Sequence, residues 1–153
     1  METLFTYFIF SLTFNSSVEL SGSFEAGVNA QQFAYPANVE VDNLLHITFV
    51  MFDAESQRNM NMSDAELLNY AKTTFLGTSK PAETTKERQI MKRNSVGEIL
   101  KTKIPTPSNI EIHLITLPDN TKIVIGFKSA NSINASDLEK IITEVTSSLK
   151  IKE

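Results

Sequence analysis

The alternation of apolar and polar positions predicts a chain rich in β-strands. Residues 44–52 place Leu45, Ile47, Phe49 and Met51 on one face and a mixed set of side chains on the other, a pattern typical of a central strand. Residues 110–117 and 121–128 alternate in the same way around Pro118-Asp119-Asn120, which are turn-forming residues. We therefore expect these two segments to form a hairpin.

Four further strands are expected from weaker patterns. Residues 4–14 and 17–26 are predicted to pair around the turn Asn15-Ser16-Ser17, and residues 88–93 and 96–104 around Asn94-Ser95. The segment 27–43 contains Pro36 and scattered Asn and Gln, so it is expected to be irregular with a short strand at 39–41.

Two amphipathic helices are predicted from caps and spacing. Ser63 and Glu66 form a capping box, apolar residues follow at helical spacing, and Gly77 supplies a left-handed stop after a polar connection at 53–62. Ser136 and Glu139 form a second such box. The stripe that follows consists of Leu138, Ile141, Ile142, Val145 and Leu149, and the helix is expected to close with Lys150 and Lys152.

Together these elements define an α+β fold, in which an antiparallel sheet of about 6–7 strands packs with two amphipathic helices. The chain has 153 residues, of which 41% are hydrophobic and 21% charged, and no linker interrupts it. We therefore expect a single domain over residues 1–153. The absence of cysteine excludes disulfides, thiolate nucleophiles and cysteine-ligated metals.

The first residues bear on the compartment. Residues 4–14 are apolar and too short to span a membrane, but their length also suits an export signal. The preceding Met1-Glu2-Thr3 is acidic and no Ala-x-Ala site follows, so residues 1–17 are interpreted as beginning with a strand. The expected location is cytoplasmic, or periplasmic or secreted if residues 1–17 are an export signal.

No catalytic, cofactor-binding or metal-binding residues are predicted. The two histidines, His46 and His113, lack metal-ligand spacing, although Glu111 and His113 share a strand face. We expect both histidines to bond to neighbouring backbone groups or solvent. Ser63 and Ser136 serve as caps, and the five glycines form no phosphate-binding loop.

One segment is strongly basic. Residues 86–103 hold six basic and two acidic side chains, a local balance of +4 in a chain of net charge −4. These cations can dock an acidic partner, or they can simply face outward and keep a strand edge soluble. The candidate partner-binding surface comprises Lys86, Arg88, Lys92, Arg93, Lys101 and Lys103, with Met60 and Met62 from the loop before the first predicted helix. Nucleic acid is not expected as a partner, because base-stacking aromatics are missing here.

The order of elements resembles the Mog1/PsbP-like fold, including bacterial DcrB-type domains. The resemblance is carried by residues 44–52, 63–77, 110–128 and 136–151, with Ser148-Leu149-Lys150-Ile151 matching the tail of the last helix. It implies a non-enzymatic domain that binds other proteins, and it supplies no catalytic residues to transfer.

The leading hypothesis is thus a non-catalytic, protein-binding domain from a bacterium, with an unknown protein partner, no cofactor and no membrane span. A homodimer is compatible with it. One alternative is a carrier or chaperone whose Phe-rich first half, with six of ten Phe before residue 40, lines a groove for a lipid or a hydrophobic segment. A third hypothesis is an unrecognised hydrolase.

Overall fold

Among the described residues, seven strands form the main sheet, and each pairs antiparallel with its neighbours in the order β3 (Phe24–Gly27), β4 (Ala30–Tyr35), β5 (Leu45–Phe52), β11 (Lys122–Ala130), β10 (Ser108–Thr116), β9 (Val96–Thr102) and β6 (Thr84–Thr85). The computed structural model describes residues 1–6, 11–21, 24–27, 29–37, 43–103 and 106–152.

Two small sheets accompany the main one. The first has three strands in the order β1-β2-β12, which are Glu2–Thr6, Ser11–Asn15 and Lys150–Lys152. The second is a two-residue hairpin of β7 (Gln89–Ile90) and β8 (Arg93–Asn94), whose turn is formed by Met91 and Lys92.

Three α-helices complete the described chain: α1 (Ala54–Met60), α2 (Asp64–Ala71) and α3 (Ala135–Ser148). Helix α2 begins with the Ser63–Glu66 capping box and continues into a π-helical turn, Lys72–Leu76, which ends at Gly77 with a φ of 74°. Glycine suits that left-handed position because it has no Cβ to clash with the backbone.

The main sheet separates two hydrophobic cores. On one face α2 and the π-helical turn cover side chains that include Val50, Phe52 and Leu114. On the other face, α3 and strand β2 cover Phe49, Ile125 and Phe127. Phe14 of β2 stacks on Phe49 and packs edge-to-face against Phe33. Strands β5, β10 and β11 are buried on both faces because helices or strands pack on each side.

The predicted fold class is confirmed, and so are its strongest elements. Strand β5 lies between two neighbours, and β10 pairs with β11 as Ile112↔Gly126 and Leu114↔Val124. The Ser63 capping box and the Gly77 stop are also present.

Several predicted boundaries are wrong within residues 1–62. Residues 4–14 do not form one strand, because Glu2–Thr6 (β1) and Ser11–Asn15 (β2) pair antiparallel with each other. The segment 27–43, expected to be irregular, contains β4 in the body of the sheet. The short strand expected at 39–41 lies outside the described residues. The polar connection 53–62 contains α1, whose start is capped by Asp53 accepting from the Ser56 N–H.

The end of the chain also differs from the prediction. Helix α3 is capped by Asn134, whose side chain accepts from the N–H groups of Ser136 and Asp137, so Ser136 is not the cap. The helix ends at Ser148, and Lys150–Lys152 pairs with β2 instead of extending the helix. Pairing with β2 gives the backbone N–H and C=O groups of Lys150–Lys152 hydrogen-bond partners.

Candidate functional site

A polar centre lies on the α3 face of strand β10. Side chains alternate along a strand, so Glu111 and His113 project to the same face, towards α3. Ser95 lies between β8 and β9, and Arg88 directly precedes β7. The two residues that flank the β7–β8 hairpin at its base therefore both reach a centre on the main sheet.

His113 connects two hydrogen-bond partners through its two ring nitrogens. Its Nε2 lies 2.5 Å from Oε2 of Glu111, and its Nδ1 lies 2.7 Å from Oγ of Ser95. An ionised carboxylate can only accept, so Nε2 carries a proton and donates it to Glu111. In the neutral ring, Nδ1 then accepts from the Ser95 hydroxyl.

Arg88 binds the other side of the Glu111 carboxylate. Its Nε lies 2.5 Å from Oε2 and its Nη2 lies 3.2 Å from Oε1, a bidentate arrangement. Nη2 also donates to Glu139 of α3 at 2.7 Å, and Nη1 donates to Thr143 Oγ1 at 3.3 Å. One guanidinium thus joins the hairpin, the sheet and helix α3.

The electrostatics of the centre favour its charged forms. Burial alone would raise the pKa of Glu111, but hydrogen bonds from His113 and Arg88 outweigh it and lower that pKa to about 2. Burial opposes the charge on Arg88, yet its bonds to Glu111 and Glu139 raise the pKa of Arg88. The bond from Arg88 also lowers the pKa of Glu139. A buried charge is tolerated here because it is both paired and hydrogen-bonded.

Gly97 makes room for the imidazole. It lies opposite His113 in the pairing of β9 with β10. A Cβ on Gly97 would overlap ring atoms of His113 and the carbonyl oxygen of Lys86. The backbone of β9 therefore closes over the ring, and only glycine allows that approach.

The serine and histidine of this centre are buried. His113 is 0% exposed and Ser95 is 5% exposed, and the Ser95 oxygen also accepts from the backbone N–H of Arg88 at 3.0 Å. The order Ser–His–Glu resembles a nucleophile with its base and orienting acid, but a nucleophile must reach a substrate. The adjoining cavity, between α3 and strands β9–β11, has a volume of about 160 Å³ and touches Glu111 and Glu139 but neither Ser95 nor His113.

The hairpin tip beyond this centre holds an unusual turn. Met91 and Lys92 have φ angles of 53° and 63°, so both residues of the two-residue turn are left-handed. Such turns usually contain Asn or Gly, because other side chains are strained there. Lys92 is exposed, and Met91 packs partly against the core on the α3 face.

The structure divides the predicted partner-binding surface. Lys92 and Arg93 lie at the hairpin tip, whereas Lys101 and Lys103 are exposed at the far end of β9 and just beyond it. A strand rises by about 3.3 Å per residue, so the two ends of the seven-residue β9 lie roughly 20 Å apart. Arg88 is drawn into the polar centre, with a side chain only 9% exposed. The remaining three members are half-buried: Lys86, Met60 and Met62.

The two histidines lie apart in the fold. His46 is on β5 opposite Lys128, on the α2 face, while His113 projects to the α3 face. Burial and then the Lys128 charge lower the pKa of His46. Within the described ranges, no group of three or more His, Asp or Glu side chains is arranged to hold a metal ion.

Sequence reasoning found one half of the polar centre. The shared face of Glu111 and His113 is confirmed by their hydrogen bond. The expectation that His113 bonds to backbone or solvent is wrong, because Ser95 and Glu111 occupy both ring nitrogens. The sequence predicts Ser95 in a hairpin turn, and the signal for its role is Gly97, which the β9–β10 register places opposite His113.

The architecture is that of α+β domains in which an antiparallel sheet carries helices on its faces, and solved structures share it. LpqN, described as involved in cell envelope biogenesis of Mycobacterium tuberculosis, is similar over 100% of this chain and 91% of its own, with 11% identity and a TM-score of 0.57. A Bacteroides thetaiotaomicron VPI-5482 crystal structure is similar over 93% of this chain at 15% identity and a TM-score of 0.53. This chain spans 45% of that Bacteroides chain.

These similarities establish a shared fold. No protein-family model matches the sequence, and no curated protein matches it. In the part of the chain that the structure describes, none of the helices is both long enough and apolar enough to cross a membrane.

Proposed function

We propose that this chain is a non-catalytic, protein-binding domain of the Mog1/PsbP-like type, and that the tip of hairpin β7–β8 forms part of its binding surface. The observation that carries the proposal is the fastening of this short hairpin. Arg88 and Ser95, at its base, are tied to Glu111 and His113 of the sheet, while its tip displays the exposed Lys92.

This anchoring supports a binding role because it stabilises a hairpin that would be unstable by itself. A hairpin with two residues in each strand is not stable alone in water. Here Ile90 is fully buried in the core on the α3 face, and Arg88 reaches across to Glu139 of α3. Such anchoring holds the tip in one position before a partner arrives, which lowers the entropic cost of binding.

The backbone of the tip gives a second line of support. Left-handed Met91 and Lys92 each cost of order 1–3 kcal/mol, and conformations of this kind cluster at functional sites. The sequence Met-Lys offers no conformational advantage over Asn-Gly in such a turn. A requirement for these two side chains at the tip explains why the strain is retained.

The charge of the tip indicates the kind of partner. Lys92 and Arg93 form no ion pair with carboxylates of the described residues, in contrast to Arg88. Unpaired cations on a fixed hairpin suit an acidic protein surface, and they speed its association. The likeness to LpqN is compatible with such a role and favours the periplasmic or secreted alternative for location.

The carrier hypothesis has less support. The cavity beneath α3 holds about 160 Å³, whereas pockets for drug-sized ligands measure roughly 300–1,000 Å³. The larger cleft beside Lys128 is lined mainly by polar residues, which does not suit a hydrophobic cargo. Of the six Phe residues before residue 40, the two whose side chains are described, Phe14 and Phe33, are buried in the core. Neither side chain is free to line a groove.

Site-specific photo-crosslinking tests the binding surface. A benzophenone amino acid placed at exposed Asn94, beside the tip, should yield a discrete protein adduct in an extract of the source organism, and the same group at exposed Lys103 should not. Adding Lys92→Glu to the Asn94 probe should reduce the adduct at least five-fold. Equal adducts at both positions, or none at Asn94, would contradict the proposal.

A fluorophosphonate probe tests the hydrolase alternative. It labels serine nucleophiles that a base activates and that a substrate can reach. We expect no labelling of Ser95 in the folded protein, because its hydroxyl is buried and bonded to His113. Stoichiometric labelling that disappears in Ser95→Ala would establish a nucleophile and overturn the non-catalytic assignment.

A further inference from the structure

A second concave region lies at one end of the main sheet. Its basic residues, His46 and Lys128, lie on the α2 face of the sheet, opposite the polar centre on the α3 face. It has a volume of about 640 Å³, within the range of small-molecule sites. It is formed where β5 begins, β11 ends and β10 begins. Its lining residues include Asn43, His46, Thr106, Ser108, Lys128 and Ser132.

The lining is basic and rich in hydroxyl groups. Lys128 and His46 face each other across neighbouring strands in register, and Thr106, Ser108 and Ser132 add side-chain hydroxyls. Among the lining residues that the structure describes, none is acidic. This composition differs from the chain as a whole, which has 18 acidic and 14 basic side chains.

Lys128 has hydrogen-bonding capacity to spare. Its Nζ donates to the carbonyl oxygen of Leu76 at 3.0 Å, at the end of the π-helical turn. An ammonium group has three donors, and this is its one hydrogen bond to the described residues, so two donors remain without a partner among them. No carboxylate of the described residues lies within ion-pair distance of Lys128, whereas Lys72 and Lys122 are paired with Glu98 and Asp64.

We propose that this cleft binds the phosphate group of a small, soluble phosphorylated molecule. The Lys128 ammonium supplies the charge, and the His46 ring N–H with the Thr106 and Ser132 hydroxyls supplies hydrogen bonds to the remaining oxygens. Phosphate oxygens accept several such bonds at once, and bonds from a charged donor are the stronger ones. The space beyond these donors accommodates the rest of the molecule.

Burial and then the neighbouring Lys128 charge lower the pKa of His46, because both disfavour the protonated ring. An anion seated between the two side chains would offset that repulsion. The Lys128–Leu76 bond also fixes the ammonium position before a ligand arrives.

Titration of the ¹⁵N-labelled protein with inorganic phosphate, at constant ionic strength, tests the proposal. We expect saturable amide shifts confined to residues 43–46, 106–108 and 128–132. Lys128→Met should weaken binding at least ten-fold, Lys128→Arg should retain it within about three-fold, and Lys103→Met should leave it unchanged. His46→Gln, which leaves the Lys128–Leu76 bond in place, should weaken binding several-fold with an unchanged thermal midpoint.

Two further arms identify the source of the phosphate. Glycerol 3-phosphate should bind more tightly than inorganic phosphate, because the cleft is larger than the anion alone. Phosphatidylglycerol vesicles should not co-sediment the protein in a Lys128-dependent manner. Shifts that fail to saturate, that persist in Lys128→Met, or that arise only with vesicles would overturn the proposal.

Discussion

Gly97 and His113 face each other on adjacent strands, and the imidazole occupies the space that a side chain on Gly97 would fill. The pair explains how the His113 ring can be completely buried against the backbone of β9. It also makes the polar centre depend on a residue that has no polar group.

Gly97→Ala should therefore destabilise the protein by about 3 kcal/mol, the upper range for overpacking a closed site. The added methyl group would meet the His113 ring and the backbone carbonyl of Lys86, and the backbone cannot move aside easily. Urea-induced unfolding measures the change. Gly126→Ala is the control, because its methyl group would meet only the flexible end of Leu76 and should cost about 1 kcal/mol. Equal losses in the two variants would contradict this account.

The Glu111 carboxylate predicts a specific acid sensitivity. Its pKa is about 2 in the folded protein and takes its ordinary value of 4.5 once the chain unfolds. A lowered folded pKa contributes stability that is present above pH 4.5 and is lost as the pH falls towards 2. At 1.36 kcal/mol per pKa unit, the loss amounts to about 3 kcal/mol.

Denaturant titrations between pH 5 and pH 2 measure this dependence. Glu111→Gln should unfold more readily at pH 7 and should show a flatter pH profile over the same interval. Parallel profiles for the variant and the unmodified protein would assign the acid sensitivity to other carboxyl groups.

Ser95→Ala should destabilise the fold by about 2 kcal/mol. The change leaves Nδ1 of His113 and the backbone N–H of Arg88 without their bonds in a buried site, and each unsatisfied group costs about 1–3 kcal/mol. Ser79→Ala, at an exposed loop position, should change stability by less than about 0.5 kcal/mol. Thermal unfolding of both variants provides the comparison, and an unaffected midpoint in Ser95→Ala would exclude a structural role for its hydroxyl.

The centre of the fold could be predicted because its local signals agree with its packing. Residues 44–52 alternate cleanly and become the central strand β5, and the Ser63–Glu66 capping box begins α2 where the sequence predicts it. In both places a pattern within ten residues decides the structure, and no distant contact opposes it.

The polar centre could be predicted only in part because it depends on register. Glu111 and His113 are two residues apart, so strand geometry alone places them together. Ser95 and Arg88 reach them through the pairing of β9 with β10 and through a hairpin turn at Met91-Lys92 that contains neither Asn nor Gly. No local signal marks that turn, so the sequence pattern predicts the turn at Asn94-Ser95 instead.

The start of α3 offers a clean test of two competing caps. Asn134 accepts from two backbone N–H groups at 2.8 and 3.2 Å, whereas Ser136 already lies within the helix. Asn134→Ala should cost about 1 kcal/mol of unfolding free energy, and Ser136→Ala should be nearly neutral. The reverse order in chemical denaturation would restore the Ser136–Glu139 capping box predicted from the sequence.

The strained tip predicts a separation of stability from binding at Lys92. Glycine adopts a φ of 63° without the Cβ clash that a lysine suffers, so Lys92→Gly should stabilise the protein by about 1 kcal/mol. The same change removes the exposed cation, so the partner identified by crosslinking from Asn94 should bind the Lys92→Gly variant at least ten-fold more weakly. Lys103→Gly, outside the turn, should neither stabilise the fold nor weaken the partner. A Lys92→Gly variant that is more stable and binds the partner as before would show that the turn is retained for a reason other than this side chain.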